Sequence, residues 1–275
     1  HAFDQGELAE QMVADTMNAI ENKTGGEFRY AIQNVNRSIS ARLSGEIAWR
    51  HGNFGMVDAL LRVRLQGTAG QSFGVWNAGG LHLPLEGDVN GYAGKGMAAR
   101  KLVTRPPERS KFKPQEALII GDTCLYSATG GKLFASSLAG EHFAARNSGA
   151  IAVVEGIGDH GCEYMTGGVV VALGSTGLNF GAGTTSGFAL VLDEKNNFVD
   201  RYNHVLIEIH RIDPENIETH RNYLQDLLAE YIAETDSDWG RSILEDFSSY
   251  VNRFWLIKPT ASKLGSLIDN LRHAA

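Results

Sequence analysis

The feature that most constrains the fold is a phrase that recurs every 18 or 19 residues through the middle of the chain. Each copy is a turn of small residues and glycine, followed by a short apolar run rich in β-formers. The last glycine of the turn recurs at Gly131, Gly149, Gly168 and Gly187. A regular period of this kind indicates a repeat architecture. The glycines are expected to supply corners with positive φ.

Less regular copies of the phrase lie upstream. They place turn glycines at Gly45, Gly80 and Gly96, each before a predicted strand, at 46–49, 81–85 and 97–103 respectively. Residues 60–65 and 117–120 are predicted to be strands of coils whose turn has diverged. Residues 104–114 contain three prolines and are predicted to form a loop inserted between coils.

The short spacing between strands favours a mainly β fold, a right-handed parallel β-helix. A hairpin meander would need tight turns that pair neighbouring strands antiparallel. A βαβ unit would need a crossover helix, for which the repeat is too short. A coil that returns to the same point about 4.8 Å higher fits the period. We therefore predict a single-stranded solenoid of about seven to eight coils over residues 37–200.

Alternation along the strands predicts which side chains point into the coil. The third and fifth positions after the turn glycine are mostly apolar: Leu83, Phe134, Ala152, Val171 and Leu190, then Leu85, Ser136, Val154, Leu173 and Leu192. We expect both columns to stack as ladders inside the coil, with Ser136 as a polar exception. Because Pro84 has no N–H to donate, pairing should be interrupted on one side of its coil.

Helices are predicted at both ends of the solenoid. Residues 4–22 have helical periodicity and 28–32 read as extended, which gives a lead-in over residues 1–36. In residues 201–275, alternation at Val205, Ile207 and Ile209 predicts a last strand. A helix start at Asp213-Pro214 then begins a helical hairpin that includes Phe254, and a further helix is expected from Ser262. These helices would cap the open end of the solenoid.

Charge, hydropathy and cysteine content exclude several classes of protein. The net charge of −7 and the absence of a dense basic stripe argue against nucleic acid or a membrane surface as partner. No apolar run reaches the length of about 18 residues that a spanning helix needs. Two cysteines are too few for a disulfide framework, and we predict a cytoplasmic location.

Four residues are the candidates for a metal site. Cys124 and His142 precede their turn glycines by the same distance, so we expect them to be neighbours on adjacent coils, with His160 and Cys162 one coil further. Zinc is held by these residue types. However, the usual short spacing between zinc-binding cysteines is absent, and buried cysteines commonly only pack. We therefore predict no metal, no catalytic and no cofactor-binding residue.

The region from Asn34 to Gly45 resembles the entry to the β-helix of the glutamate synthase large subunit, N-x-D-R-S-x-G-A-R-L-S-G, with Asn36 and Ser40 as departures. Glycine pairs fit the GXGXG motif of this family: Gly94 and Gly96, Gly156 and Gly158, Gly181 and Gly183. The segments 163–168, 203–212 and 254–259 resemble its repeat phrase, exit and tail. The likeness covers essentially the whole chain, which is identified as similar to the C-terminal domain of that subunit.

This resemblance implies a structural role within a larger enzyme. The parent makes two glutamates from glutamine and 2-oxoglutarate with NADPH, ferredoxin or NADH. Its amidotransferase and synthase domains hold the catalytic cysteine, FMN and a 3Fe-4S cluster, and a small NADPH-oxidising subunit carries FAD and 4Fe-4S clusters. The present chain would pack against the amidotransferase, central and synthase domains of the same subunit. The same resemblance implies a contact with the small NADPH-oxidising subunit.

Two other readings stay open at this point. One is a β-helical subunit of the formylmethanofuran dehydrogenase type, which shares the glycine repeat. The other is a carbohydrate-binding solenoid, which would present aromatic ladders. The helical tail argues against the first, and the four tryptophans do not share a column, which argues against the second.

Overall fold

A computed structural model describes residues 6–52, 54–212 and 218–268 of the chain. The first elements are helix α1 (Glu7–Glu21), strand β1 (Gly26–Ile32) and helix α2 (Ala41–His51). Helix α1 turns Met12, Val13 and Ile20 inward, as its predicted apolar stripe requires. The predicted helix over 4–22 and the extended segment at 28–32 are confirmed within the described residues.

Nine strands follow helix α2 along the chain. They are β2 (Leu61–Ala69), β3 (Leu81–Val89), β4 (Lys101–Arg105), β5 (Leu118–Ile120), β6 (Lys132–Ala139), β7 (Ser148–Ile157), β8 (Thr166–Ala172), β9 (Ser186–Leu192) and β10 (Ile207–Arg211). The sheet path β1-β2-β3-β4-β6-β7-β8-β9 consists of parallel neighbours throughout. Each strand therefore pairs with its copy one coil away, and the predicted parallel solenoid is confirmed.

The turn predicted at Gly45, with a strand over 46–49, is wrong. Gly45 lies inside α2, which buries Leu43 and Ile47. These apolar residues are four apart, and Glu46 pairs with both Arg42 and Arg50 at the same helical spacing. The helix periodicity therefore outweighs the local Ser-Gly turn signal.

Substitution of Gly45 by alanine should stabilise the protein by about 1 kcal/mol, since alanine is the better helix former. A Cβ at this position meets no atom within 4 Å. The matched substitution, Gly131→Ala, should destabilise it, because Gly131 has φ 81° and its added Cβ would lie 2.9 Å from the Ala99 backbone. Urea midpoints of the two variants test this pair, and a loss of stability for Gly45→Ala would contradict the helix.

The alignment of side chains between neighbouring coils differs by one residue from the predicted columns. Lys132 pairs with Ile151, so the copy that follows Gly149 is shifted relative to the copy that follows Gly131. Gly149 lies in β7 without a positive φ, unlike Gly80, Gly96, Gly131, Gly168 and Gly187. Its Cβ would lie 2.2 Å from the carbonyl oxygen of Thr129. Close approach of two backbones, rather than a corner, explains this glycine.

Two hydrophobic clusters lie on opposite faces of the later strands. The first runs through the coils and includes Leu83, Leu85, Leu133, Ala152, Val154, Val170 and Ala189. The second packs beneath the C-terminal helices and includes Phe134, Val153, Val171, Leu173, Leu190 and Leu192. The prediction that both columns point into the coil is thus correct for Leu83, Leu85, Ala152 and Val154, and wrong for Phe134, Val171, Leu173, Leu190 and Leu192. Strands buried on both faces show little alternation by which to tell inside from outside.

Pro84 and the predicted loop occupy the expected places. Pairing of β2 with β3 has no partner at Leu83 or Pro84 but resumes at Leu85, while Pro84 pairs with Val103 of β4 on the other side. The interruption predicted from the missing N–H is confirmed. Strand β4 begins at Lys101 rather than at the predicted 97 and ends at Arg105, so the loop begins two residues later than predicted.

The C-terminal region contains α3 (Glu218–Thr235), α4 (Asp238–Glu245), α5 (Phe247–Val251) and β11 (Phe254–Pro259). The predicted helix start at Asp213-Pro214 lies outside the described residues. Phe254 is not helical as predicted: β11 inserts between β9 and β10 and is antiparallel to both. Its short apolar run fits a strand as well as a helix. Near Ser262 the described chain forms a short 3-10 turn, Leu264–Ser266.

Candidate functional site

The two predicted cysteine candidates are buried inside the solenoid. Cys124 and Cys162 are both free thiols, and the Sγ of Cys124 lies 3.2 Å from the carbonyl oxygen of Gly121. Burial raises the pKa of the Cys124 thiol to about 12 and that of Cys162 further. A thiolate, the form that binds metals and attacks electrophiles, is therefore disfavoured at both positions.

The two histidine candidates meet each other but not the cysteines. The rings of His142 and His160 stack with their centroids 4.9 Å apart. His142 Nδ1 lies 3.1 Å from a carboxylate oxygen of Glu163, and His160 Nδ1 lies 3.1 Å from the amide of Asn179. The histidines occupy equivalent positions of adjacent coils, since the N–H of each donates to the coil that follows. They form a polar ladder on the solenoid surface.

The predicted neighbour relation between Cys124 and His142 is wrong. The N–H of Ala144 donates to the carbonyl of Cys124, which places Phe143 opposite Cys124. No group of three or more His, Cys, Asp or Glu side chains with metal-binding geometry occurs within residues 6–52, 54–212 and 218–268.

The corners of the coils have an unusual backbone in which positive φ recurs at alternate residues. The first, third and fifth corner residues of six coils share it: Ser72, Gly74 and Trp76; Tyr92, Gly94 and Gly96; Thr123, Leu125 and Ser127; His142, Ala144 and Arg146; His160, Cys162 and Tyr164; Asn179, Gly181 and Gly183. The N–H of each third residue donates to a carbonyl of the preceding coil. Where the N–H of a first or fifth residue bonds to another coil, it donates to the following one. The corners therefore extend the hydrogen-bonded stack beyond the strands.

This corner ladder explains two of the three glycine pairs. Gly94 and Gly96, like Gly181 and Gly183, fill third and fifth positions, where a left-handed conformation costs other residues about 1–2 kcal/mol. Aromatic rings lie against the fifth position of the next coil: a Cβ on Gly183 would be 2.4 Å from Cδ1 of Tyr164. The third pair, Gly156 and Gly158, lies outside this pattern, because neither residue has positive φ.

A buried carboxylate joins the solenoid to its helical cap. Glu155, on β7, is 1% exposed. One of its oxygens accepts hydrogen bonds from Tyr231 at 2.8 Å, from Ser136 at 3.1 Å and from Ser237. Ser237 also caps α4 by accepting from the N–H of Gly240. Burial raises the pKa of the Glu155 carboxyl, and the three hydroxyl donors oppose that shift.

This cluster gives Ser136 its role, beneath the helical cap rather than inside the coil as predicted. The cluster itself was not predicted from the sequence. The available signal was a single acidic residue within an otherwise apolar run, residues 150–157. Such a residue must find hydrogen-bond donors when its strand is buried. Besides Ser136 on the neighbouring strand, the donors come from α3 and from the start of α4, more than 75 positions later in the chain.

An ionic cluster clamps α3 onto the strands. Lys101 Nζ lies 2.9 Å from Glu230 and 2.6 Å from Glu234, and Lys132 also pairs with Glu230. His82 lies beneath this cluster, 3% exposed, with Nε2 at 3.5 Å from Glu234. These ion pairs between α3 and the strands therefore help to fix the position of the helix along the sheet face.

Acidification should destabilise the protein through His82. Burial, with the positive charges of Arg62, Lys101 and Arg64, lowers the pKa of His82 to about 4 although Glu234 opposes the shift. His82 therefore takes up a proton near pH 6.5 in the unfolded chain but only near pH 4 in the folded chain. The free energy of unfolding thus decreases as the pH falls from 6.5 to about 4. The expected loss is roughly 3 kcal/mol.

Unfolding curves at pH 7 and pH 4.5 measure this effect. The variant His82→Gln removes the titrating group and should flatten the dependence, whereas His204→Gln, at an exposed position, should leave it unchanged. Identical pH dependence in the wild type and in His82→Gln would show that another group controls it.

The outer sheet face is apolar where the helical cap covers it and more charged on the first strands. Helix α3 contacts β4 and β6, where the outward residues include Val103 and Phe134. The outward face of β1 to β3 carries more charge and lines a groove of about 670 Å³, whose charged residues include Arg29, Arg62, Arg64 and Glu86, with Arg105 at its side. The first coils therefore present a solvated or partner-facing surface.

Several large apolar side chains are exposed on helix α2, on the earlier coils and near the exit. Trp49, Phe54 and Trp76 are 82%, 83% and 64% exposed, and Val205 is 79% exposed. Exposed aromatics on this scale are enriched at protein interfaces. Among the described residues, none of the helices has the length and apolarity that crossing a bilayer would take.

In comparison with known proteins, the chain matches a part of longer enzymes. It is 45% identical over 247 residues to the ferredoxin-dependent glutamate synthase of Pyropia yezoensis, a match over 90% of this chain and 16% of that protein. It is 43% identical over 249 residues to ferredoxin-dependent glutamate synthase 2 of Synechocystis sp., again over 90% of this chain and 16% of the relative. With the NADH glutamate synthase of Schizosaccharomyces pombe it shares 46% identity over 233 residues, which are 84% of this chain and 11% of that protein.

The chain thus spans 16% or less of the length of these three relatives. The GXGXG motif family matches residues 7–260, which contain both helical ends and the whole solenoid. The fold described above, with its corner ladder of alternating positive φ, is the structure that carries this match. The chain belongs to the GXGXG family.

Proposed function

We propose that this chain is the structural domain of a glutamate synthase, the enzyme that makes two glutamates from glutamine and 2-oxoglutarate. Its role is to pack against the amidotransferase and FMN-binding synthase domains and to set their spacing. The catalytic cysteine, FMN and iron–sulfur clusters belong to those other parts of the enzyme. The chain itself holds no cofactor and performs no catalysis, and its location is cytoplasmic.

The observation that carries this proposal is the way the polar side chains are used. The candidate histidines bond to Glu163 and Asn179 along the coil surface, the thiols are buried, and Glu155 ties the cap to the sheet. These are contacts within the fold, whereas Trp49, Phe54 and Trp76 are free to contact other domains. A stack of coils joined by hydrogen bonds at strands and corners is stiff, which suits a spacer.

The purified chain provides the first experiment. It should fold cooperatively, show no flavin absorbance, contain no iron and lack glutaminase and glutamate synthase activity. A flavin spectrum or either activity in the purified chain would refute the proposal.

The second experiment tests the spacing role in the longer polypeptide of such a synthase. Phe54→Glu and Trp76→Glu should weaken the contact of this domain with the others, seen as faster amide exchange at the interface and lower synthase activity at unchanged flavin content. Phe112→Glu is the matched control at another exposed aromatic. Normal exchange and activity in both variants would rule out this surface.

A further inference from the structure

A cavity of about 310 Å³ lies where the start of α4 meets the ends of the later strands. Glu155 and Trp239 line it together with Asp193 and the exposed residues Glu194 and Lys195. The volume is at the lower end of the range for small-molecule sites. This cavity plays no part in the packing role proposed above.

Glu155 is the buried group of this cavity, and only one of its two oxygens is satisfied. Oε1 accepts from Tyr231, Ser136 and Ser237. Oε2 is buried and has no hydrogen-bond partner among the described residues. No Lys, Arg or His of the described chain forms an ion pair with Glu155. A carboxylate so placed calls for a donor or a positive charge at the second oxygen.

The rest of the lining shows which kind of cation fits. Glu116, Asp193 and Glu194 add negative charge, against one positive residue, Lys195. The described residues provide no cluster of three or more metal-ligating side chains here, which disfavours a metal ion. Trp239 donates its indole N–H to the carbonyl of Leu173 at 2.6 Å, so its ring is held in place and available for a cation–π contact.

We propose that this cavity binds an organic cation with N–H donors, a primary ammonium or guanidinium group, which donates to Oε2 of Glu155. The cation is supplied either by a free small molecule or by a lysine or arginine side chain from another segment of the longer enzyme. Burial raises the pKa of the Glu155 carboxyl, and a cation beside Oε2 favours its ionised form.

The test uses methylammonium chloride as the probe and the ¹⁹F resonance of 5-fluorotryptophan at Trp239, identified by its loss in Trp239→Phe. Methylammonium should shift this resonance saturably at millimolar concentration, as expected for so small a ligand, and potassium chloride at equal ionic strength should not. Tetramethylammonium carries the same charge without an N–H and should bind at least tenfold more weakly. Equal binding of both ions, or no saturable shift, overturns the proposal.

A pair of variants locates the binding group. Glu155→Gln keeps the shape but loses the charge and should weaken methylammonium binding at least tenfold. Glu245→Gln removes an exposed carboxylate that is not part of the cavity lining and should change affinity less than twofold. Undiminished binding by Glu155→Gln contradicts the assignment, and if that variant does not fold, the tetramethylammonium comparison decides.

The longer enzyme distinguishes the two sources. If a side chain from another segment supplies the cation, methylammonium should leave the Trp239 resonance of the longer protein unmoved. If the natural ligand is a free small molecule, the longer protein should respond as the isolated chain does. This arm depends on the proposed membership of a glutamate synthase, whereas the titration of the isolated chain does not.

Discussion

Replacement of Gly87 by alanine is expected to lower the free energy of unfolding by about 4 kcal/mol or more. Gly87 has φ 152°, and a Cβ there would lie 1.8 Å from the carbonyl oxygen of Gly67, its partner on the neighbouring strand. The obstructing atom is backbone, so no rotamer change can relieve the overlap. The two strands must separate, which breaks the ladder on one side of the coil. Denaturant unfolding followed by circular dichroism measures the loss.

Gly265→Ala is the matched control for this substitution. Its added Cβ meets no atom within 4 Å, so the change in stability should stay within about 0.5 kcal/mol. An unfolding midpoint for Gly87→Ala equal to that of the control would mean that the strands are not as close as described.

Phe134→Ala is expected to cost about 3–5 kcal/mol and to act first on the helical cap. The ring is fully buried, meets Tyr231 edge to face at 5.9 Å and lies below Nζ of Lys101 at 5.4 Å. Its removal leaves a void between α3 and the outer sheet face. Limited proteolysis should therefore cut the variant within residues 218–251 before it cuts the coils.

The neighbouring residue supplies the control. Leu133→Ala also removes a buried side chain, at a cost of about 2–5 kcal/mol, but Leu133 belongs to the cluster inside the coils. Its loss should loosen the solenoid without preferential cleavage of the cap. The same cleavage pattern for both variants would contradict the division of the core into two faces.

The parallel solenoid could be predicted from the sequence because its cause is local and repeated. A turn glycine and a β-rich run at constant spacing leave few other ways to pair strands. The same reasoning could foresee the gap in pairing at Pro84, since a missing N–H acts at one position whatever surrounds it. These predictions depend on neighbours within one coil.

The error at Gly45 has a local cause, whereas the others arise where distant segments decide the outcome. Gly45 resembles a coil corner, yet the charges and apolar residues around it favour a helix. Phe254 resembles the end of a helix, yet β9 and β10 offer edges on each side of its segment. Which column faces inward depends on α3 covering the outer face. Of the candidate site, the buried acid Glu155 leaves a mark in the sequence, but its donors on the cap do not, because they are brought to it only by tertiary packing.

The order β9-β11-β10 has a consequence for synthesis on the ribosome. Strand β10 is synthesised before β11, but it cannot join the sheet until Phe254–Pro259 has been made and inserted between β9 and β10. A nascent chain that stops before residue 254 therefore lacks β11 and cannot pair β10 with the sheet. The edge of β9 then stays open to pairing with other chains. Stop codons in the last helices should accordingly yield aggregating products rather than shortened, soluble ones.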